Sequence, residues 1–396
     1  MAARSTAIAL HNETGFDLIN PEIELPHGQW TDPWQPPSRI SAHSIGEFRS
    51  ESDGFMTGTE GSVRYHFDHG GAATVYVHWD NPFDGVNSYH QFTDNGFEAY
   101  HTGGDGNDAR IDVFLRVSVP HFVPGFKPST NGFKFTNHWD NAPYTLPPLR
   151  GSVLDLKYGN AKNGLCGGMV YTVRDYYQAS RLIPQTTTAP AGEQDPLFIH
   201  IVNRLFDTFD IDDVTMYLKL MDPLYPDTDE NVLNPVGLAN GRAYVMAVIE
   251  FPMIRDDLLA GRPSPLGLVS VKSLLPSDLG ECHQVLAYGY QQSGNDVTIW
   301  VYDPNTTLDA ADSVTLRFSV RTTSERIDVQ HNVDMKDNGQ RLPVYAFFRT
   351  NYLFSPPPLG TFSLRLYGAS HSLDLSRGVR HMLQNGLPLT HLRALA

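Results

Sequence analysis

Asn160-Ala-Lys-Asn-Gly-Leu-Cys166-Gly-Gly-Met-Val-Tyr171 places one of the chain's two cysteines between glycines, directly ahead of a run with helical spacing. Far downstream, Cys282-His283-Gln-Val-Leu-Ala-Tyr-Gly-Tyr290 opens a strand on a histidine, and Trp300-Val-Tyr-Asp303-Pro-Asn305 closes the next strand on a carboxylate. Thiol, imidazole and carboxylate in that order are the parts of a thiol nucleophile site. A helix start suits the thiol, because unpaired N–H groups and the positive end of the dipole favour thiolate. Gly164, Gly167 and Gly168 are expected to let the backbone approach a substrate. The turn at residues 292–295 makes the two strands antiparallel neighbours, so their far ends lie side by side. Asp303, or Asn305 beyond Pro304, then orients the His283 ring. An oxyanion donor is expected from Asn160 or Asn163, with Asn160 favoured, beside the Cys166 backbone N–H.

Outward from this stretch the pattern is helices first, then strands. Helical spacing covers residues 169–177, 196–209, where Pro196 suits a first turn, and 251–261, closed by Gly261. Strand-like runs follow at 265–271, 284–290, 296–302 and 314–320, an α+β layout. Residues 327–396 read as a C-terminal extension packed on this module, with strand-like runs at 344–348 and 361–367 and a short helix near 377–384. Residues 1–120 differ: short alternating runs such as Thr74-Val-Tyr-Val-His-Trp79 and Ile111-Asp-Val-Phe-Leu-Arg-Val117 lie between Gly/Asn/Asp turns, the signature of an all-β sandwich. Residues 121–150 are rich in proline and aromatics and read as a linker that packs, since Phe122, Phe126, Phe133, Phe135 and Trp139 need burial. The chain is therefore multi-domain, with the thiol module at 151–326.

The net charge is −15, from 44 acidic and 29 basic residues, and no long basic run appears, which argues against nucleic acid as a partner. Two cysteines in 396 residues make no disulfide framework. The N-terminal apolar run is too short for a signal peptide, so synthesis is expected in the cytoplasm, with release by lysis or a non-classical route left open. A metal at Glu281, Cys282 and His283 is disfavoured, because adjacent strand residues point to opposite faces. His66, His69 and His78 cluster in sequence, and a metal site there is disfavoured too. No cofactor and no metal site is read from the chain.

The thiol module resembles the papain-like cysteine peptidases of the bacteriocin-processing type. His283-Gln-Val-Leu-Ala-Tyr-Gly289-Tyr290 and Tyr302-Asp303-Pro304 fit that group's strands, as does the helix beginning Ile254-Arg-Asp-Asp-Leu-Leu. Asn160 stands where the group carries Gln, one methylene longer. The resemblance implies a Cys166–His283–Asp303 triad with Asn160 as oxyanion donor, acting on a peptide or isopeptide bond of a peptide or protein substrate. Residues 1–120 resemble the aegerolysins, β-sandwich proteins that bind membrane lipids. The residues concerned are His11-Asn-Glu-Thr-Gly15, His27-Gly-Gln-Trp30, Gly58-Thr-Glu-Gly-Ser-Val-Arg-Tyr65 and Trp79-Asp-Asn-Pro-Phe83-Asp-Gly85-Val-Asn-Ser-Tyr89. That resemblance implies a membrane lipid head group as a second partner. Trp30, Trp34, Trp79, Phe83 and Tyr89 are the candidate contacts, because indole and phenol combine an apolar body with a polar edge. The rival expectation is a non-catalytic, toxin-like membrane binder whose second module is a scaffold.

Overall fold

The computed structural model describes residues 3–68, 72–140, 142–145, 158–161, 164–229, 240–333 and 343–358. In the first 117 residues, ten strands build two facing sheets: β1 (Ser5–Asn12), β2 (Leu18–His27), β3 (Gln29–Trp30), β4 (Arg39–Ile40), β5 (Ser44–Glu51), β6 (Thr59–Phe67), β7 (Thr74–Asn81), β8 (Ser88–Thr93), β9 (Phe97–Gly103) and β10 (Asp108–Val117). One sheet runs β3-β5-β1-β10-β9, with β1 and β10 parallel, and the other β4-β2-β6-β7-β8. Period-2 alternation sets the inner faces. Ala109, Ile111, Val113 and Leu115 of β10 are buried, as are Val75, Val77 and Trp79 of β7. Strands β2, β3, β4, β5, β8 and β9 are additional to the runs legible from alternation.

The segment expected to link the modules joins the second one. Strand β11 (His121–Phe122) pairs with the strand that His283 opens, and Val123, Phe126, Phe133, Phe135 and Trp139 lie in the second core. A short helix α1 (Pro128–Asn131) and the paired strands β12 (Pro143–Thr145) and β13 (Tyr158–Asn160) follow. Helix α2 (Cys166–Gln178) is buried along almost its whole length. Helix α3 (Pro196–Asp207) starts where Asp195 accepts the Leu197 N–H at 2.8 Å, and it buries Leu197, Phe198, Ile201, Val202, Leu205 and Phe206. Helix α4 (Ile211–Met221) is capped by Asp210 in the same way. Helices α5 (Arg242–Tyr244) and α6 (Phe251–Leu259) are joined by one wide π turn, Val245–Glu250, just where Pro252 lacks the N–H that a regular ladder needs.

The sheet behind these helices contains β14 (Ser264–Val269), β15 (His283–Ser293), β16 (Asp296–Tyr302), β17 (Thr315–Ser319), β18 (Gln330–His331) and β19 (Ala346–Arg349). Its order is β18-β17-β16-β15-β14-β19, with β11 also on β15. Every residue of β14 is buried, and so are the first eight of β15, as expected of strands covered on both faces. Residues 330–331 and 346–349, within the range read as a C-terminal extension, pair into this sheet. The strand and helix expected at 361–367 and 377–384 lie outside the described residues. The chain is thus a β-rich, multi-sheet protein.

The sandwich is joined to the far end of β15. Glu98 on β9 is fully buried, pairs with Arg116 at 2.8 Å and accepts from the Tyr290 hydroxyl at 2.8 Å. The Gly294 N–H donates to the Phe97 carbonyl at 2.8 Å, and the Gly96 N–H donates to the Ser293 hydroxyl at 2.8 Å. His283 opens β15 and Ser293 ends it. At about 3.3 Å per residue, His283 lies roughly 23–33 Å along the strand from the sandwich joint.

Candidate active site

Cys166 is the first residue of α2 and is half-buried, with a free thiol. The residue before it, Leu165, has no side chain with which to cap the helix, so the first-turn amides are left for another acceptor. Gly164 turns the chain into the helix at φ +90°, a conformation that favours glycine. A Cβ there would sit 2.9 Å from the Asn137 amide nitrogen. Asn137 braces this loop: its Oδ1 accepts the Leu165 N–H at 2.6 Å, and its Nδ2 donates to Asn305 Oδ1 at 3.1 Å. The loop bearing the thiol is therefore tied to the loop that follows the carboxylate.

His283 is buried at the start of β15, and its Nε2 lies 2.9 Å from Asp303 Oδ1. Cys166 also interacts with the ring and favours its protonated form. Burial opposes the imidazolium, but the Asp303 charge, the Asp303 hydrogen bond and Cys166 outweigh it, and the proton affinity of the ring rises well above its ordinary value. Burial alone would raise the Asp303 carboxyl. His283 and a second imidazole, His331, instead hold it far below the usual carboxylate range. Asp303 Oδ1 also accepts the Asn305 N–H at 2.8 Å. Of the two orienting candidates, Asp303 therefore contacts the ring, while Asn305 supports the carboxylate and Asn137.

The paired glycines have a packing role that differs from the expected one. A Cβ on Gly168 would lie 2.0 Å from the Ile201 carbonyl oxygen, and one on Gly167 would lie 2.8 Å from both the Gln284 amide nitrogen and the Thr208 hydroxyl. These glycines let α2 settle onto α3 and β15, which fixes where the thiol emerges. Asn160 ends β13 opposite Pro143, but its side chain and the whole of Asn163 lie outside the described residues. Cys282 is a different kind of thiol. Burial pushes it up to about 11, against the Ser270 and Val271 backbone hydrogen bonds that favour thiolate.

The sandwich residues separate into two groups. Trp79 is fully buried and donates to the Ser50 hydroxyl at 2.8 Å, so it is a core residue and cannot contact lipid, contrary to expectation. Trp30 packs on it at 5.8 Å between ring centres, and the Tyr89 hydroxyl donates to the Gly104 carbonyl at 2.8 Å. Phe83 lies under the Arg4 guanidinium at 5.7 Å. Trp34 is 46% exposed, and Phe55 and Val86, which sequence reading passed over, are 92% and 90% exposed. No periodicity marks such loop residues. His66 hydrogen-bonds Glu22 at 3.0 Å and His78 hydrogen-bonds Glu60 at 3.4 Å, while His69 lies outside the described residues. Among the described residues no His/Cys/Asp/Glu group has the geometry of a metal site, and no helix is long and apolar enough to cross a membrane.

No protein-family model matches the chain. An uncharacterized protein of Dictyostelium discoideum is 28% identical over 149 residues, which is 37% of this chain and 12% of that protein. The match thus spans about one eighth of the relative's length. Among solved structures, the lipid-binding protein Nakanori is 14% identical with a TM-score of 0.26, over 29% of this chain and 72% of its own. RahU, solved with a TRIS molecule, is 17% identical with a TM-score of 0.25, over 30% of this chain and 97% of its own. IP-1A of Alcaligenes faecalis is 16% identical with a TM-score of 0.24, over 29% of this chain and 92% of its own.

Proposed function

We propose that this chain is a thiol acyl-transfer hydrolase of the papain-like cysteine-peptidase type, carried by a β-sandwich that binds a lipid head group. The observation that supports the chemistry is the buried His283 ring, 2.9 Å from the Asp303 carboxylate and close enough to Cys166 to interact with it. In the proposed reaction the Cys166 thiolate attacks a peptide or isopeptide carbonyl and a C–S bond forms. The Cys166 backbone N–H, with Asn160 as the expected second donor, stabilises the oxyanion. The His283 imidazolium gives its proton to the leaving amine as the C–N bond breaks. Neutral His283 then takes a proton from water, hydroxide adds to the thioester, and the acid leaves as the thiol is restored. An amine in place of water makes the same chemistry a transfer.

The sandwich reading is supported by the sequence resemblance and by the exposed Trp34, Phe55 and Val86. Its position at the opposite end of β15 leaves the thiol free to meet a substrate while the sandwich holds a surface. The test is iodoacetamide alkylation against pH, read by mass spectrometry. Cys166 should react at acidic and neutral pH while Cys282 stays unmodified, and His283→Ala should abolish the acid-side reactivity. An unreactive Cys166, or one indifferent to His283, overturns the hydrolase and leaves a binding protein. Vesicle sedimentation with varied head groups, with and without Trp34→Ala, tests the sandwich separately, and retention by no vesicle overturns its lipid role.

A further inference from the structure

His331 lies 28 positions beyond Asp303, in a two-residue strand. Sheet register carries it to the site. Ile299 pairs with Leu316, and Leu316 pairs with His331, so all three share one face. Asp303, four positions beyond Ile299, falls on that face too. The His331 ring is fully buried, and its Nε2 lies 3.2 Å from Asp303 Oδ2. One carboxylate therefore faces two imidazoles, His283 on Oδ1 and His331 on Oδ2.

We propose that His331 is a positioning residue of the thiol site, which fixes the Asp303 carboxylate and takes a share of its charge, so limiting how tightly His283 holds its proton. This rests on the hydrolase reading for its meaning. A carboxylate with a single imidazole partner would concentrate its charge on that ring. The ring would then give up its proton reluctantly, although the mechanism needs it to do so once per turnover. A donor on the second oxygen relieves this. The sign is the same whether His331 is neutral or charged, since a neutral ring presents the positive end of an N–H dipole to the carboxylate and a charged one adds a cation nearby. Among the described residues, the titratable groups near His283 also include Cys166 on α2, Cys282 before it in the chain, and Tyr217 on α4, whose hydroxyl donates to the His283 carbonyl at 3.3 Å.

The experiment follows the His283 ring by NMR in full-length protein labelled at histidine Cε1, with the resonance assigned by its loss in His283→Gln. His331→Phe should move the His283 midpoint upward by about half a unit or more. His331→Gln, whose amide can still donate to Oδ2, should leave it near the wild-type value. If the Phe variant does not fold, His331→Asn, one methylene shorter than Gln, should give the upward shift. A merely structural residue would lower stability in these variants and leave the midpoint in place. An unchanged or lowered midpoint in the donor-less variant overturns the proposal. Failure of the hydrolase reading would be seen elsewhere, as an unreactive Cys166 in otherwise wild-type protein.

Discussion

Asp303→Asn keeps the shape of the carboxylate and removes its charge. The side chain is 1% exposed and sits 2.9 Å from His283 Nε2 and 3.2 Å from His331 Nε2. The new amide can still accept at one atom, but its NH2 group faces an imidazole nitrogen. The hydrogen bonds from His283 and from the Asn305 N–H, each worth about 1.5–3 kcal/mol to a charged group, are lost or weakened, giving about 3–6 kcal/mol. Removing one partner of a buried ion pair costs about 3–5 kcal/mol. The two agree on about 4 kcal/mol, a large part of the roughly 5–15 kcal/mol that holds a domain folded. The pH dependence follows from the two directions. Asp303 is held below its ordinary value, so its contribution is present above an unfolded value of about 3.9 and lost as pH falls through the folded one. His283 is held above its ordinary value, so its contribution is complete below about 6.5 and lost as pH rises through the folded one. Wild-type protein should therefore lose stability from neutral to alkaline pH, and Asp303→Asn should show a flatter profile from a lower start. Urea unfolding followed by circular dichroism at several pH values reads both. Parallel profiles for the two proteins, or a loss under about 1 kcal/mol near neutrality, would refute the ion-pair account.

Gly168→Ala should lower the urea midpoint more than Gly167→Ala. The first drives a methyl into the Ile201 backbone carbonyl, and the second into side-chain atoms of Gln284 and Thr208 that can shift. Overpacking of the first kind costs about 1–3 kcal/mol or more, and equal midpoints would contradict the packing role given to this pair. Glu98→Gln should uncouple the sandwich from the second core, because Glu98 is buried against Arg116 and Tyr290 at their junction. Calorimetry should then resolve two transitions where the wild type is expected to show one, and a single transition in both would show that the junction holds without this charge.

The legible parts of the chain are those with a period. Helices α2, α3 and α6 and strands β7, β10, β15 and β16 follow from apolar spacing, because burial on one face or both leaves that spacing in the residues themselves. Cys166, His283 and Asp303 were legible for a related reason, since each stands at an element boundary, where a polar residue meets an apolar run. His331, Asn137 and Tyr217 were not. His331 sits in a strand of two residues, too short to show alternation, and only the register of two intervening strands brings it to Asp303. Trp79 is the opposite case. Its alternating position pointed inward, and the aromatic loop residues that are exposed, Trp34 and Phe55, carry no pattern at all.

The meeting of His283 with Asp303 also depends on a detail that no hairpin rule supplies. The turn pairs Ser293 with Asp296, and Gly289 still pairs with Trp300 in that register. Continued unchanged, it would set Leu286 opposite Asp303, and the carboxylate would face away from His283, since neighbouring strand residues alternate sides. Instead Ala287 pairs with Val301 and Leu286 with Tyr302, which makes Tyr288 one extra residue in β15. That bulge turns the rest of β15 over relative to β16, so that His283, Val285 and Ala287 share a face with Val301 and Asp303. Gly289 beside it allows β11 to close in, because a Cβ there would lie 2.4 Å from the Phe122 ring. The bulge that redirects the strand toward the thiol site thus sits next to the segment that joins the sandwich to the second core.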